Sequence, residues 1–407
     1  MAFTKITSDG IGDNAVTSDK IATGAITVAD IPDGEITTTK LSSTLQTSIS
    51  SIANKADAST VNSALALKVG IDSSTGAASI PVGTTAQRPV SPTTGMLRMN
   101  STTKQPEWYD STNSTWVNFG NRPLYSAEIL IVAGGGGGGG RVGSGGGAGG
   151  LIYYGAETPK TPNGVAQTLT PGVTYTVVIG AGGTGGYGGN DGTEADGLQG
   201  NNSVFGSYTA AVGGGYGVRG DVGTGGSGGS GGGAGYNYTA SALGTGTSGQ
   251  GNNGGYSSAY GTSYPYVKAG GGGAGAVGAN GNGSTGYGGN GGVGLQYSIS
   301  GSATYYAGGG GGGTHNPAVG AGSGGNGGGG AAGATGGKNA GIAGTANTGG
   351  GGGGASTDNA NSYKGGNGGS GVVIIKYIGN VQAVGGTITQ SGGYTIHTFT
   401  SSGTFTA

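Results

Sequence analysis

The residues ILIVAGGGGGGGRVGSGGGAGGLIYY at positions 129–154 pose the main folding problem of this chain. The stretch begins as an aliphatic run typical of a buried β-strand, becomes nearly pure glycine, and ends in aliphatic and aromatic residues. Glycine loses more backbone entropy on folding than any other residue, and it has no side chain to pack. A folded glycine tract therefore depends on backbone hydrogen bonds to neighbouring segments.

The chain has 108 glycines in 407 residues, and a glycine run can adopt the extended left-handed threefold helix, which has no internal hydrogen bonds. Side by side, such helices can bond to one another because no Cβ atoms intervene. The sequence therefore predicts bundled polyglycine II helices, anchored by the strands AEILIVAG (127–134) and GVVIIKYI (371–378). Collagen is excluded, because the glycines keep no strict three-residue period and there are only 11 prolines. The tracts lie at 134–140, 182–189, 223–233, 270–273, 308–313, 322–330 and 349–354.

The N-terminal part has two different patterns. Residues 1–44 repeat every ten positions, as ITSDGI, VTSDKI, ITVADI and ITTTKL, and such short units are stabilised by stacking or by winding around identical chains. Residues 45–80 are predicted to form a short helical coiled-coil neck. One amphipathic helix packed on a domain is the alternative. The helical seam consists of Leu41, Leu45, Ile49, Ile52 and Ala56.

Residues 81–122 predict a small β-meander with the strand runs GMLRMN, PEWYD and TWVNFG. Trp108 and Trp116 fall on adjacent runs, which predicts a cross-strand aromatic pair in the core of the meander rather than a sugar-binding site. Residues 123–378 form the glycine-rich body, and residues 379–407 alternate as the strands of a β-hairpin or strand tail. The fold class is therefore mainly β with little α, with a fibre-like N-terminal part.

Few residues offer catalytic or metal-binding chemistry. Charged residues make up 8% of the chain, the net charge is −1, and there is no cysteine, so neither a basic nucleic-acid surface nor a thiolate site is expected. The two histidines are isolated: we expect His315 in a turn and His397 on an exposed or half-buried strand. The acidic cluster of Asp191, Glu194 and Asp196 fits a solvated turn, a cation site or a catalytic pair. We expect no enzyme activity, no cofactor and no membrane insertion.

Tyrosine-rich segments separate the glycine tracts and are candidates for a recognition surface. Tyrosine has a large rigid face, a polar tip and only two side-chain torsions, so it binds at low entropy cost. The alternative is that these side chains only cap the glycine bundle. The receptor-binding candidates are Tyr236, Tyr238, Tyr256, Tyr260, Tyr264, Tyr266, Tyr305 and Tyr306.

Four motifs in residues 127–377 resemble the glycine-rich domain of bacteriophage tail-fibre and adhesin proteins: AEILIVAGGGGGGG, LTPGVTYTVVIGAGGTGG, NNSVFGSYTAAVGGG and GGNGGSGVVIIKY. The segment GTTAQRPVSPTTGMLRMNSTTKQPEWYDSTNSTWV resembles a small module of phage tail and fibre proteins. The ten-residue repeat is similar to repeats in fibre-like proteins of marine phages, including those that infect cyanobacteria.

The resemblance implies a homotrimeric virion protein. Its N-terminus would dock on the tail or baseplate, and aromatic loops of its glycine-rich end would contact a host surface glycan or envelope protein. The chain departs from tip adhesins of this kind by carrying its own fibre-like N-terminal part. Its segment GYTIHTFTSSGTFT also follows the glycine-rich body, whereas in relatives it often precedes it. Competing hypotheses are a structural tail or capsid decoration protein, an ice-binding bundle and a depolymerase.

Overall fold

The computed structural model describes residues 23, 37, 39, 42–55, 70–72, 77–112, 114–119, 124–157, 163–189, 195–220, 223–235, 243–258, 266–315, 320–334, 338–357 and 363–407. The chain divides into two compact units, Met1–Gly120 and Asn121–Ala407. Nearly all of the ten-residue repeat predicted over residues 1–44 lies outside the described residues.

The first unit contains a helix, α1 (Ser43–Lys55), within the predicted helical seam. The helix begins after Ser42, whose hydroxyl accepts the backbone N–H of Leu45 at 3.3 Å, as an N-cap does. Its coiled-coil pairing stays a prediction. The segment 45–80 is predicted as a helical neck with its helix ending at Gly70, and from that point onward it contains β1 (Gly70–Asp72) and β2 (Ala77–Ser79), which pair antiparallel. Gly70 and the intervening Ser-Ser-Thr-Gly sequence favour a turn over a helix.

The predicted meander is present as a four-stranded sheet. β3 (Val82–Gly83) pairs parallel with β4 (Leu97–Asn100), and β5 (Gln105–Asp110) and β6 (Thr115–Asn118) continue the sheet antiparallel. A 3₁₀ helix (Thr85–Gln87) follows β3.

The predicted Trp108–Trp116 pair in this meander is wrong. Asp110 lies opposite Thr115, and this register places Trp116 opposite Tyr109, with ring centroids 5.6 Å apart. Trp108 lies opposite Leu97 and Val117 and therefore on the other face. The sequence of the runs could not reveal this because a shift of one residue moves every side chain to the opposite face.

The second unit is built from short strands joined by glycine segments. Its strands are β7 (Tyr125–Val132), β8 (Leu151–Tyr154), β9 (Gln167–Leu169), β10 (Thr174–Val178), β11 (Val204–Phe205), β12 (Ser257–Ser258), β13 (Gly281–Asn282), β14 (Leu295–Tyr297), β15 (Thr304–Tyr306), β16 (Lys338–Asn339), β17 (Ser356–Thr357), β18 (Val372–Ile378), β19 (Thr387–Ser391), β20 (Tyr394–Phe399) and β21 (Gly403–Thr406).

The main sheet has the order β19-β20-β18-β7-β8, and β9 also pairs with β7. The aliphatic runs predicted as anchor strands are its central members, confirming that part of the sequence analysis. Alternate residues of β7 fill two separate cores: Ile129 and Ile131 pack in one, Leu130 and Val132 in the other. The sheet is therefore buried on both faces, which explains why these strands are continuously apolar.

The C-terminal residues belong to the second unit. β19 and β20 extend the main sheet through β18, while β21 pairs with β10. Phe405 of β21 is fully buried and lies against the rings of Phe205 and Tyr175. The segment that follows the glycine-rich body thus closes its core as returning strands.

The glycine segments bond to one another with a period of three. Along residues 134–140, every third N–H donates to the same neighbour, so Gly134, Gly137 and Gly140 donate to the carbonyls of Asn201, Leu198 and Ala195. The N–H groups of Gly135 and Gly138 donate to segment 366–369, and those of Gly136 and Gly139 donate to segment 144–147. The carbonyls of 134–139 in turn accept N–H groups from 183–186, 214–217 and 352–355. Segment 134–140 is therefore surrounded by backbone partners on all sides.

Segment 143–150 has the same surroundings. It donates to 349–355, 212–218 and 269–272, and it accepts from 136–139, 230–233 and 310–313. A Cβ added at any glycine from 134 to 140 would lie within 3.0 Å of backbone atoms of a neighbouring segment. The central segments consequently tolerate almost no side chains, and backbone hydrogen bonds replace apolar packing there.

The outer segments carry a side chain at every third position, a regularity that the sequence analysis missed. Pairs of glycine or alanine separate these residues, and the side chains are exposed or half-buried. A segment with three equivalent sides that turns one side to solvent gives this spacing. The clearest series are Ala181, Thr184, Tyr187; Tyr287, Asn290, Val293; Asn339, Ile342, Thr345; and Lys364, Asn367, Ser370.

Candidate functional site at the loop end of the glycine lattice

The glycine segments of the second unit have two distinct ends. At the first, Val132, Leu151 and Val372 lie in register where the glycine segments join the main sheet, and we call this the sheet end. At the other, Gly140 and Gly143 bracket a turn in which Arg141 has a positive φ of 58°. Arg141 donates its N–H to the carbonyl of Tyr363 at 2.9 Å. We call this opposite end the loop end.

Several connections between glycine segments start and finish at the loop end. Gly143 is hydrogen-bonded through its backbone to Ala355 and Gly313, and Ser144 is hydrogen-bonded to Val218. The segments that lead to these residues therefore end side by side. The neighbouring residues Gly145, Ala269 and Gly233 are joined in the same way. The connections bounded by these segments are 187–195, 218–223, 235–243, 258–266, 315–320, 334–338 and 357–363.

Backbone and buried side chains hold the described parts of the loop end. His315 donates its backbone N–H to the carbonyl of Tyr266 at 2.9 Å, and the two rings meet edge to face with centroids 5.8 Å apart. His315 is buried and bridges to Thr357, so its predicted place in a turn is corrected to a paired position. The ammonium of Lys268 is fully buried and donates to the carbonyl of Gly220.

A family model described as Glycine-rich domain matches residues 111–378, more than half of the chain. This chain belongs to the glycine-rich domain family. A search of curated proteins finds no significant match. The family match covers the lattice, both of its ends and the strands from β7 to β18, so the geometry described above is that of the glycine-rich domain itself.

The glycine-rich domain divides the predicted tyrosines between its two ends. Tyr256 and Tyr266 are half-buried at the loop end, and the backbone N–H of Tyr256 donates to the Oδ1 of Asn280 at 3.0 Å. Tyr305 and Tyr306 lie instead on β15, whose next residue, Ala307, bonds to Thr348 at the sheet end. Tyr305 is exposed there, whereas Tyr306 packs in the core with Leu130, Val132 and Leu151. The remaining candidates, Tyr236, Tyr238, Tyr260 and Tyr264, lie outside the described residues.

Two exposed tyrosines at the loop end were missed by the sequence analysis. Tyr187 is 60% exposed, and its carbonyl accepts the N–H of Ala195 across one connection. Tyr287 is 51% exposed and bridges to Gly320 at the start of another segment. Both occur in the sequence Gly-Tyr-Gly-Gly-Asn, at 186–190 and 286–290, and this repeated motif was the available signal.

The described residues of the glycine-rich domain offer contact surfaces rather than a reactive cluster. Among them, no group of three histidine or acidic side chains is arranged to hold a metal ion. Asp196, the described member of the acidic cluster, accepts the backbone N–H of Arg219 at 2.8 Å and so fastens two segments together. No helix in the described part of the chain is long and apolar enough to cross a membrane.

Perturbed ionisable groups are found near the main sheet, away from the loop end. Burial and the nearby carboxylate of Glu128 raise the pKa of Tyr153, whose hydroxyl donates to Glu128 at 3.0 Å. Lys376 pairs with the same carboxylate at 2.8 Å. Burial, followed by the charge of Glu157, raises the pKa of Tyr297, whose ring is tilted against that of Tyr153 with centroids 4.4 Å apart. These contacts fix the strands and the β14–β15 hairpin to one another.

His397 is fully buried, which corrects the expectation of an exposed or half-buried strand position. The hydroxyl of Tyr377 accepts the N–H groups of Gln382 and Ala383, so its own proton is left to donate to Nε2 of His397 at 3.0 Å. Nδ1 then carries the ring proton and donates to the carbonyl of Gly385 at 2.8 Å. Burial lowers the pKa of His397, and this arrangement fits the neutral ring.

Proposed function

We propose that this chain is a tail fibre or adhesin of a bacteriophage virion, and that it attaches the particle to a bacterial surface through the loop end of its glycine-rich domain. The observation that carries the proposal is the convergence of many connections at the end of the lattice opposite the sheet. Connections on a rigid scaffold are where binding residues concentrate, because they can vary without disturbing the scaffold. The resemblance to phage fibre sequences supports the same function.

We propose that the scaffold consists of polyglycine II helices. The three-residue period of the hydrogen bonds and the outward side chains at every third position support this geometry. None of the glycines from 134 to 140 has a positive φ, in keeping with a left-handed extended helix. Such helices need no apolar core between them, so a narrow scaffold can hold many loops close together.

The proposed contact surface is formed by tyrosines at the loop end. Exposed tyrosine faces suit stacking on pyranose rings or packing against an envelope protein, while the hydroxyl groups can bond to either. Tyr187 and Tyr287 present the most exposed faces among the described tyrosines of this end. Tyr236, Tyr238, Tyr256, Tyr260, Tyr264 and Tyr266 complete the proposed surface. We expect binding without chemical change to the receptor.

The N-terminal residues would serve the particle rather than the host. We propose that residues 1–44 dock on the tail or baseplate and that α1 contributes to a coiled coil in a homotrimer. The exposure of Leu45 and Ile49, one helical turn apart, supports such pairing. The protein would then be located in the virion.

The test is binding of the full-length, fluorescently labelled protein to a panel of marine bacteria that includes cyanobacteria. In a strain that binds, the double variant Tyr187→Ala/Tyr287→Ala should weaken binding at least tenfold, or about 1.4 kcal/mol, because two exposed aromatic contacts are lost. Tyr305→Ala removes an exposed tyrosine at the sheet end and serves as the matched control, which should bind as the unchanged protein does.

Equal weakening by Tyr305→Ala and the double variant would contradict the assignment of the loop end. A chain that binds no strain, and that lies in particles away from the tail by immunogold electron microscopy, would favour a structural virion component. Release of sugars from host polysaccharide by the purified protein would favour a depolymerase.

A further inference from the structure

The meander of the first unit has an unusual division between its two faces. Residues that lie opposite one another in adjacent strands share a face, so the register assigns Arg98 and Glu107 to one side and Leu97 and Trp108 to the other. Glu107 is completely buried, whereas Trp108 is 37% exposed. Charged side chains are thus buried on one side, while Leu97 and Trp108 are exposed on the other, the reverse of an ordinary half-buried sheet.

A dense polar network fills the buried side. Arg88 forms a two-bond ion pair with Glu107 at 2.7 and 3.2 Å, and Asn100 donates to the same carboxylate at 2.9 Å. Arg98 lies 3.4 Å from Glu107 and donates to the carbonyls of Thr84 and Gln87. Burial acts to raise the pKa of Glu107, but these hydrogen bonds and charges outweigh it and lower the pKa. The charged side is therefore satisfied within the chain.

The opposite side is mainly apolar. The uncharged face, as we call it, consists of Val82, Leu97, Met99, Pro106, Trp108 and Val117. Val82, Leu97 and Trp108 are exposed, Met99 and Pro106 are half-buried, and Val117 is buried. Along the described strands of the meander, Asp110 at one corner is the charged residue that shares this side. Contiguous exposed apolar surface of this kind marks a site of protein association.

We infer that the uncharged face packs against the corresponding surface of further copies of this chain. A cover for this face must itself be nearly uncharged, because an unpaired charge placed against it would be desolvated at a cost. An identical copy supplies such a surface. It also supplies a partner for the second uncovered apolar surface of this unit, the α1 stripe of Leu45 and Ile49, which are 48% and 42% exposed.

The helix gives an independent reason for association between copies. α1 has 13 residues, and an isolated helix of that length is marginal in water. Association of identical units covers the helix stripe and the sheet face together. A standard interface buries roughly 800 Å² per partner, so we expect the uncharged face and the helix stripe to contribute to it together. This inference deepens the proposed homo-oligomer by naming its surface.

Sedimentation velocity of the full chain over a range of concentrations tests the inference. Trp108→Lys places a charge in the centre of the face and should weaken association about 30-fold, as expected for a central aromatic residue. Val90→Lys changes a fully exposed apolar residue of the same unit outside the sheet and should leave association unchanged. Leu45→Lys/Ile49→Lys should also weaken it.

A measurement on the unchanged protein avoids the question of whether Trp108→Lys folds. Hydroxyl-radical labelling should modify Trp108 less at concentrations where the chain is associated, while Tyr187, an exposed tyrosine of the glycine-rich domain, stays reactive. A monomeric chain at every concentration would overturn both the homo-oligomer and this surface. An associated chain in which Trp108 stays fully reactive and Trp108→Lys has no effect would overturn the surface alone. Neither result bears on receptor binding at the loop end.

Discussion

The replacement of Gly137 by alanine tests whether the glycine lattice is held by backbone contacts alone. A Cβ at this position would lie within 3.0 Å of the carbonyl of Thr184 and the nitrogen of Gly185, a separation that real Cβ atoms essentially never show. These are backbone atoms, so no side-chain rotation can relieve the clash. The segment around Thr184 must move away from segment 134–140.

The cost follows from the bonds that this movement breaks. Gly183 donates to Gly135 at 2.9 Å, Gly186 donates to Gly138 at 2.8 Å, and Leu198 donates to Thr184 at 2.8 Å. At about 0.5–1.5 kcal/mol for each bond, the loss of three bonds lowers the free energy of unfolding by about 1.5–4.5 kcal/mol. A domain is typically stable by about 5–15 kcal/mol, so the change is a large part of the total.

Denaturant unfolding of the full chain, followed by circular dichroism, measures the effect. Gly403→Ala is the matched control, because a Cβ at this strand position would meet no atom within 4 Å. The control should leave stability unchanged or raise it by up to about 1 kcal/mol, since alanine has fewer unfolded conformations. If Gly137→Ala were as stable as Gly403→Ala, the close-packed backbone lattice would be wrong.

Three further predictions concern side chains. Because burial lowers the pKa of His397, its contribution to the free energy of unfolding should be fully present above the ordinary histidine pKa of 6.5 and should fall as the pH drops below that value. His397→Gln should flatten this pH dependence, measured by thermal unfolding between pH 8 and 5. Glu107→Gln leaves the buried Arg98 without its charge partner and should lower the free energy of unfolding by about 3–5 kcal/mol, measured by urea unfolding followed by tryptophan fluorescence; a loss below about 1 kcal/mol would contradict a stabilising role of the network. Tyr306→Ala should cost about 3–5 kcal/mol and the exposed Tyr305→Ala under about 0.5 kcal/mol; equal losses by calorimetry would contradict the burial of Tyr306.

Side-chain patterns predicted the strands well. The continuous apolar runs around Ile129 and Val373 identified the central strands of a sheet buried on both faces, and the three runs of the meander are the strands observed. The position of each run along its partner was not predictable. Trp108 shows why. The run PEWYD allows Trp108 to lie on either face of the sheet, and the pairing of Asp110 with Thr115 decides on which face it lies.

The candidate site was predicted only in part. The sequence shows tyrosine-rich segments between glycine tracts, but it could not separate the loop end from the sheet end. Tyr256 and Tyr305 look alike in sequence, and only the direction of each glycine segment places them at opposite ends. Tyr187 lies inside the glycine tract 182–189 and Tyr287 stands alone among glycines, and a search for tyrosine-rich segments therefore passed over them.

The register of the lattice is set by the few residues that are not glycine. A central segment such as 134–140 would form equally good hydrogen bonds after a shift of three residues along its axis, because all of its residues are glycine. Polar side chains that interrupt the glycine pattern bond to backbone N–H groups of neighbouring segments: Asn367 accepts the N–H of Gly185, Asn202 that of Gly213, and Ser144 that of Val218. A shift would leave those N–H groups unpaired, at about 1–3 kcal/mol for each buried group. The uniform glycine runs therefore supply cohesion without specificity, while the polar residues that interrupt them supply specificity. This division leaves the connections at the loop end free to change in length and composition.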